Sequence, residues 1–186
     1  HILKHLSQDI DFKDVTDDIA CFGLFGPKSE DLLKKLTKDN ISRDVINFAS
    51  FKKIQIDNID IFVQRLSYVG EYGFELYMDI NNSKKIFNLI TENGKEFNLS
   101  LCGMHALDTM RMETGFLHWG HDISPEENQY QAGLNFLISY KKNVDFIGKK
   151  ALYQIKDKPL DKSLMMFTLK NNKPGQPLLL HDEPIY

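Results

Sequence analysis

The sequence is poor in the residues that mark several common functional sites. Its two cysteines, Cys21 and Cys102, form no C-x-x-C pair, and two thiols cannot supply the four ligands of a structural zinc site. Both cysteines have apolar neighbours in the sequence, so we expect buried free thiols. Such cysteine usage fits a reducing cytoplasm, or a mitochondrial matrix if the source is eukaryotic.

Long apolar runs and blocks of like charge are also missing. No stretch approaches the roughly 20 apolar residues of a membrane helix, and the first residues, HILKH, do not resemble a secretory signal. The formal net charge is -3, without a long Lys/Arg block. The sequence therefore predicts neither a membrane partner nor a nucleic-acid partner.

Nucleotide, nucleophile and metal motifs are absent as well. There is no G-x-G-x-x-G fingerprint, no P-loop and no nucleophile elbow. His118 and His121 have a spacing that binds metal on a helix, but Gly120 argues against a helix and no third ligand follows. We expect polar residues in a loop beside a packed Trp119, and no metal site.

Hydrophobic patterning predicts alternating strands and helices. Four β-prone runs predict strands: 19–25, 51–56, 59–66 and 74–80. The Asp57-Asn58 pair predicts a tight hairpin turn. Ser29 and Ser83 are predicted helix caps, and Gly94 is the predicted stop of the second helix. The predicted buried faces of these two helices comprise Leu32, Leu33, Leu36, Ile86, Phe87 and Ile90.

This order of elements predicts an α+β fold, close to a split βαβ sandwich with helices on one face of an antiparallel sheet. A third helix is predicted over 103–115, with Leu107, Met110 and Met104 inward, and a short fourth helix over 146–155. The last apolar runs, 164–169 and 177–180, predict the beginning of a β-rich unit. A domain boundary is predicted within the charged segment 156–162.

The segment richest in functional residue types is Ser67 to Glu75, SYVGEYGFE. Gly70 and Gly73 bend the backbone before a strand and would let it approach a flat ligand. Tyr68 supplies a ring face and a hydroxyl. Glu75 has apolar neighbours, where an unpaired carboxylate is costly and calls for a dedicated donor. From the residues alone, a glycine-rich turn with a solvated glutamate is the commoner interpretation, and an aromatic–carboxylate pocket is the alternative.

Four segments, in order along the chain, resemble known family motifs. Residues 68–75, YVGEYGFE, resemble Y-T-G-E-x-G-[FY]-E, and residues 103–115, GMHALDTMRMETG, resemble G-x-x-A-x-D-x-L-R-x-E-x-G. Residues 128–134, NQYQAGL, are similar to T-P-x-E-A-G-L, and residues 145–152, DFIGKKAL, to D-F-I-G-[RK]-x-A-L. Together they resemble the glycine cleavage T-protein (aminomethyltransferase) superfamily. Within the superfamily, residues 115–122, GFLHWGHD, resemble the Trp-containing stretch of sarcosine and dimethylglycine dehydrogenases.

The resemblance implies a domain plan and a function. Residues 1–158 would form the T-protein folate-binding fold, incomplete at its N-terminal side, and residues 159–186 the first strands of a truncated C-terminal β-barrel domain. The parent enzyme would be an FAD-dependent sarcosine or dimethylglycine dehydrogenase that passes the oxidised methyl carbon of a small methylated amine to tetrahydrofolate. Its FAD would bind in a module of the same polypeptide outside this chain. Two alternatives are a flavin-free aminomethyltransferase or folate-dependent demethylase, and a non-catalytic folate-binding module.

The resemblance also implies two cofactor-binding residues. Glu75 falls at the family's folate-binding glutamate, and Tyr68 at an aromatic position of its pocket. The pterin edge presents two adjacent N–H donors, which suit the two oxygens of a carboxylate. The family's arginine on the following helix is replaced by Leu107, and the glutamate of E-A-G-L by Gln131. The family's catalytic aspartate lies outside this chain, so no residue here is assigned to catalysis.

Overall fold

A computed structural model describes residues 2–7, 9–170, 173, 175–176 and 183–184. The chain divides into two compact units, His1–Phe116 and Leu117–Tyr186. Among the described residues, no helix is long and apolar enough to cross a membrane. The predicted strand at 177–180 lies outside the described residues.

The first unit is built on a four-stranded antiparallel sheet. Its strands are β1 (Ile19–Phe25), β2 (Phe51–Ile56), β3 (Ile59–Gln64) and β4 (Gly73–Asp79), in the spatial order β1-β4-β3-β2. Strand β4 is central, and its Glu75 lies opposite Gly23 on one side and Gln64 on the other. Asp57 and Asn58 both have positive φ, which confirms the predicted hairpin turn.

Helices α1 (Ser29–Leu36) and α2 (Ser83–Gly94) cover one face of this sheet. They bury four side chains against the strands: Leu32, Leu33, Ile86 and Ile90. A third helix, α3 (Met104–Thr114), ends at Gly115 with φ 82°, the left-handed conformation that glycine adopts without strain. The predicted α+β arrangement, with helices on one face of an antiparallel sheet, is therefore confirmed.

The predicted caps of α1 and α2 are wrong in detail. Ser29 and Ser83 are the first helical residues, and their hydroxyls donate to the carbonyls of Tyr72 and Ile80, at 3.3 Å and 2.6 Å. A hydroxyl used in this way does not cap its own helix. The predicted stop is correct in position, because α2 ends at Gly94. Gly94 itself keeps a helical φ of -68°, and the left-handed residue is Asn98, after a short 3-10 turn.

Several side chains predicted to be buried are exposed. Cys21 projects from the sheet face opposite the helices, because neighbouring residues of a strand point to opposite sides. Cys102 lies in the coil before α3 and Met104 in its first turn, and both are exposed. Phe87 is 39% exposed at the margin of the core, where its ring meets Phe22 edge-on.

The second unit contains a short helix, α4 (Lys149–Ile155), inside the region predicted for it. Residues 164–169 form no strand, so that prediction is wrong. The amide of Leu164 donates to the carbonyl of Gln131, and a single isolated hydrogen bond is not a sheet ladder. The start of a β-barrel, and a boundary after residue 158, stay predictions.

Candidate functional site

Strand β4 sends its side chains alternately to the two faces of the sheet. Phe74, Leu76 and Met78 are buried on the face that α1 and α2 cover. Glu75 and Tyr77 project from the opposite face. We call this opposite side the far face; it carries Glu75 and Tyr77 of β4 with their cross-strand neighbours Cys21, Gly23, Phe62 and Gln64.

The donor that Glu75 was expected to need is Tyr77. The Tyr77 hydroxyl donates a hydrogen bond to Oε2 of Glu75. This bond, helped by partial burial, raises the pKa of Tyr77 well above its usual range, because a phenolate would sit beside the carboxylate. Burial also raises the pKa of the neighbouring Cys21 thiol, and the Glu75 charge adds to the effect. A carboxylate, a phenol and a thiol therefore meet on two adjacent strands.

The Glu75 carboxylate can accept more than the one hydrogen bond from Tyr77. It lies opposite Gly23 in the β1–β4 ladder. A Cβ at Gly23 would lie only 2.5 Å from the ring of Phe25, so that ring occupies the position a side chain at Gly23 would take. A carboxylate has about four acceptor lone-pair positions, and the structure gives Glu75 one side-chain donor, Tyr77, among the described residues. The site can therefore accept further hydrogen bonds from a ligand with paired N–H donors.

Tyr68 is placed against a second aromatic ring. Its ring stacks on that of Phe116, with centroids 6.1 Å apart and an interplanar angle of 10°. Tyr68 lies in the loop between β3 and β4, and Phe116 follows α3. The two rings form a parallel aromatic pair that sequence reasoning missed on the Phe116 side, because nothing local links the two positions.

The two glycines of the motif are explained by packing within the first unit. Gly70 has φ 75°, and a Cβ there would lie 2.0 Å from Oγ1 of Thr114. A Cβ at Gly73 would lie 2.4 Å from the carbonyl oxygen of Leu24. The protein's own close contacts require both glycines, so the glycine-rich turn is the interpretation that the packing supports at these two positions.

Helix α3 carries a charged pair beside the aromatic pair. Arg111 is 5% exposed, and its Nε lies 3.2 Å from Oδ1 of Asp108, one helical turn earlier. Nη1 of Arg111 also donates to the carbonyl of Phe116 at 3.2 Å. Arg111 thus ties the end of α3 to the residue that stacks on Tyr68. Leu107, which stands at the family's arginine position, is partly buried on the same helix.

In the second unit, Gln131 is a buried structural residue. Its Nε2 donates to Oδ1 of Asp161 at 2.7 Å, and its Oε1 accepts from the backbone amide of Asn128 at 2.9 Å. The hydrogen bond from Gln131 is the main cause that lowers the pKa of Asp161. A glutamate at position 131 would bring two carboxylates together. Gln131, which stands at the family's glutamate position, therefore suits its neighbour Asp161, because an amide can donate to a carboxylate.

The His118–His121 segment forms a turn. The amide of His118 donates to Oδ2 of Asp122 at 2.7 Å, and the two imidazole rings lie 5.1 Å apart. Within the described ranges, no group of three or more His, Cys, Asp or Glu side chains is arranged to hold a metal ion. Trp119 is 64% exposed, so the predicted packing of this ring is wrong.

A cleft of about 380 Å³ in the first unit lies away from both predicted site residues. It runs between the turn after β1 and the segment that follows α2. Its wall is mostly apolar and includes Leu24, Pro27, Leu32, Phe97 and Leu99. Neither Glu75 nor Tyr68 lines it. The candidate site is therefore a polar patch on a sheet face together with an aromatic pair, and it is separate from this cleft.

Comparison with known protein families shows to which family the chain belongs. Residues 1–142 match the GCVT N-terminal domain. The chain belongs to this family. The predicted superfamily is thereby confirmed. A crystal structure of the glycine cleavage system aminomethyltransferase T from Bartonella henselae has the same fold, with a TM-score of 0.63 and 23% identity over 74% of this chain and 36% of that one.

Three curated relatives of this chain are enzymes of two kinds. The mitochondrial dimethylglycine dehydrogenase of Homo sapiens is 36% identical over 87% of this GCVT-family chain and 19% of its own length. A 4-methylaminobutanoate oxidase (formaldehyde-forming) of Paenarthrobacter nicotinovorans is 35% identical over 93% of this chain and 21% of its own length. An aminomethyltransferase of Alkaliphilus metalliredigens is 33% identical over 88% of this chain and 44% of its own length. The chain thus spans about a fifth of the first two relatives and less than half of the third.

Proposed function

We propose that this chain is the tetrahydrofolate-binding part of an enzyme that transfers one-carbon units. The observation that carries the proposal is the Glu75 carboxylate on the far face, which accepts a hydrogen bond from Tyr77 and has further acceptor positions. The 2-amino group and ring N–H of a pterin are two adjacent donors that pair with one carboxylate. Membership of the GCVT family supports the same ligand.

In this proposal the chain binds and orients folate. Glu75 takes the pterin edge, and the Tyr68–Phe116 pair offers apolar ring surface to the rest of the ligand. A folate held in this way keeps its N5 amine where a one-carbon unit arrives, which replaces an encounter in solution by a step between oriented groups.

The first candidate for the parent enzyme is a dehydrogenase of an N-methyl amine. It is supported by the relatives named dimethylglycine dehydrogenase and 4-methylaminobutanoate oxidase, and by the Trp-containing stretch 115–122. FAD, bound outside this chain, would supply the oxidation of the methyl group. A flavin-free aminomethyltransferase is the second candidate, and the 33% identity to such an enzyme favours it.

The folate proposal is tested by titrating the full-length polypeptide with tetrahydrofolate in a calorimeter. Glu75→Ala should weaken binding by about 2–3 kcal/mol, the scale of lost hydrogen bonds to a charged group. Glu71→Ala is the matched control, because Glu71 is an exposed glutamate of the same motif. Unchanged affinity in a correctly folded Glu75→Ala variant would remove Glu75 from the site.

The two candidate parents are separated by the visible absorption spectrum of the same full-length polypeptide. A flavin band supports the dehydrogenase, and turnover of N-methyl glycines with tetrahydrofolate is then the assay. A protein that stays colourless after FAD is added and the excess removed supports the aminomethyltransferase. Folate binding without either activity supports a non-catalytic folate-binding module.

A further inference from the structure

Tyr77 is held in place from both sides of β4. In the sheet register it lies opposite Cys21 of β1 and Phe62 of β3. Side chains directly opposite one another on adjacent antiparallel strands are in contact distance. With its ring flanked in this way, Tyr77 presents its hydroxyl to Glu75, two residues earlier on the same face.

A second tyrosine–glutamate pair shows what is unusual about the first. On the helix side of the sheet, the Tyr72 hydroxyl donates to Oε2 of Glu30 at 2.7 Å. The other oxygen of Glu30 already lies 2.6 Å from the Lys34 ammonium, so both oxygens of Glu30 are engaged. Glu75 has one side-chain donor, Tyr77, within the part of the chain that the structure describes. The hydrogen bond from Tyr77 to Oε2 also restricts where Oε1 lies, and Oε1 can still accept a hydrogen bond.

Orientation matters because a glutamate side chain rotates about several bonds. Fixing it costs conformational entropy, and that cost falls on ligand binding unless the free protein has already met it. A hydroxyl anchored on the sheet restricts the orientations of the carboxylate before any ligand arrives. Like an ordinary tyrosine, Tyr77 is protonated at neutral pH and can donate, and its hydrogen bond to Glu75 raises its pKa further.

We propose that Tyr77 is a positioning residue of the folate site: its hydroxyl holds the Glu75 carboxylate in the orientation that receives the two N–H donors of the pterin edge. The proposal rests on the proposed folate function and deepens it. Tyr77 acts through Glu75. Its loss should therefore weaken recognition of one edge of the ligand and leave the other contacts of folate as they are.

The test compares two ligands on the full-length polypeptide by calorimetry: tetrahydrofolate, and an analogue whose 2-amino group is replaced by methyl. Tyr77→Phe should weaken tetrahydrofolate binding about tenfold, the scale of one hydrogen bond that supports a charged group. The analogue, which lacks one donor of the pair, should be affected much less. The preference for tetrahydrofolate over the analogue should therefore shrink.

Two further variants sharpen the comparison. Glu75→Ala combined with Tyr77→Phe should bind tetrahydrofolate no more weakly than Glu75→Ala alone, because both changes act on one interaction. Tyr72→Phe is the matched control, since it removes the same kind of hydroxyl from the Glu30 pair on the other side of the sheet. Its affinities for both ligands should equal those of the wild type.

Two results would overturn the role of Tyr77 while leaving the folate function intact. One is an unchanged affinity of Tyr77→Phe when Glu75→Ala is weakened. The other is an equal loss for both ligands, which indicates a general structural defect. Absence of tetrahydrofolate binding by the wild type, or full affinity in Glu75→Ala, would instead overturn the proposed function, and the Tyr77 proposal with it.

Discussion

On the helix-covered face of β4, Phe74, Leu76 and Met78 are buried in the apolar core, whereas the far face of the same strand carries Glu75 and Tyr77. The backbone hydrogen bonds of β4 serve both faces equally. The difference lies in the side chains, because only the far face carries hydrogen-bond acceptors that other side chains do not fully use. The core face uses all of its surface for packing. On the far face, the Glu75 carboxylate can accept further hydrogen bonds from water or from a ligand.

The two tyrosine–glutamate pairs also differ in the donors that surround each carboxylate. Tyr72 and Tyr77 both donate to a glutamate, so the type of hydrogen bond does not distinguish them. Glu30 is also within 2.6 Å of the Lys34 ammonium. The two pairs therefore differ in the number of donors around each carboxylate, and on this difference we base the proposal that only Glu75 binds a ligand.

The largest expected effect contrasts the packing of the two faces. Leu76→Ala should lower the free energy of unfolding by about 3–5 kcal/mol, because Leu76 is fully buried and its truncation leaves a cavity. Phe62→Ala on the far face should cost clearly less, since that ring is already 48% exposed. Urea denaturation of both variants measures the difference. Equal losses would mean that the far face belongs to the core.

A smaller effect separates a closely packed glycine of the Glu75 motif, Gly73, from an open glycine, Gly103. Gly73→Ala should destabilise the fold by about 1–3 kcal/mol, because its Cβ would press on the backbone carbonyl of Leu24. Gly103→Ala is the control, since nothing lies within 4 Å of a Cβ there and its φ is negative. It should change the stability by less than about 0.5 kcal/mol. If Gly73→Ala were equally harmless in urea denaturation, the glycine would have to be explained by a ligand.

The smallest effect is on alkaline stability. The pKa values of Tyr72 and Tyr77 are both raised, so each folded tyrosine retains its proton more strongly than the unfolded chain does. Their contribution to stability is complete below the unfolded pKa, near 10, and is lost as pH rises through the folded pKa. The two pKa values are raised for different main reasons: the hydrogen bond to Glu75 for Tyr77, and burial for Tyr72.

This difference predicts unequal effects of two glutamate substitutions. Glu75→Gln should return the titration of one tyrosine towards pH 10 and reduce the stability loss above that pH. Glu30→Gln should do so less, because the burial of Tyr72 remains. Ultraviolet titration of tyrosinate, followed with urea denaturation at several alkaline pH values, measures both. Equal shifts in the two variants would contradict the assignment of causes.

Local patterns predicted most of the elements of the first unit. A short apolar run predicted β1 and a loose apolar alternation predicted β2, both at the bounds observed. The Asp57-Asn58 pair predicted the hairpin turn after β2. These features depend on neighbours within a few residues. The caps at Ser29 and Ser83 were placed one residue late, because a serine near a helix start has the same local sequence whether its hydroxyl caps the helix or donates to an earlier carbonyl.

What the sequence determined by itself was therefore local: the strand and helix segments, the family motifs, and Glu75 and Tyr68 as candidate residues. The tertiary structure decided which residues surround them. The sheet register set Gly23 opposite Glu75 and Cys21 opposite Tyr77, and the packing of α3 brought Phe116 to Tyr68 and Thr114 to Gly70. These contacts join residues far apart in the chain, and their distances are fixed only when the strands pair and the core closes, because no local pattern specifies a long-range register.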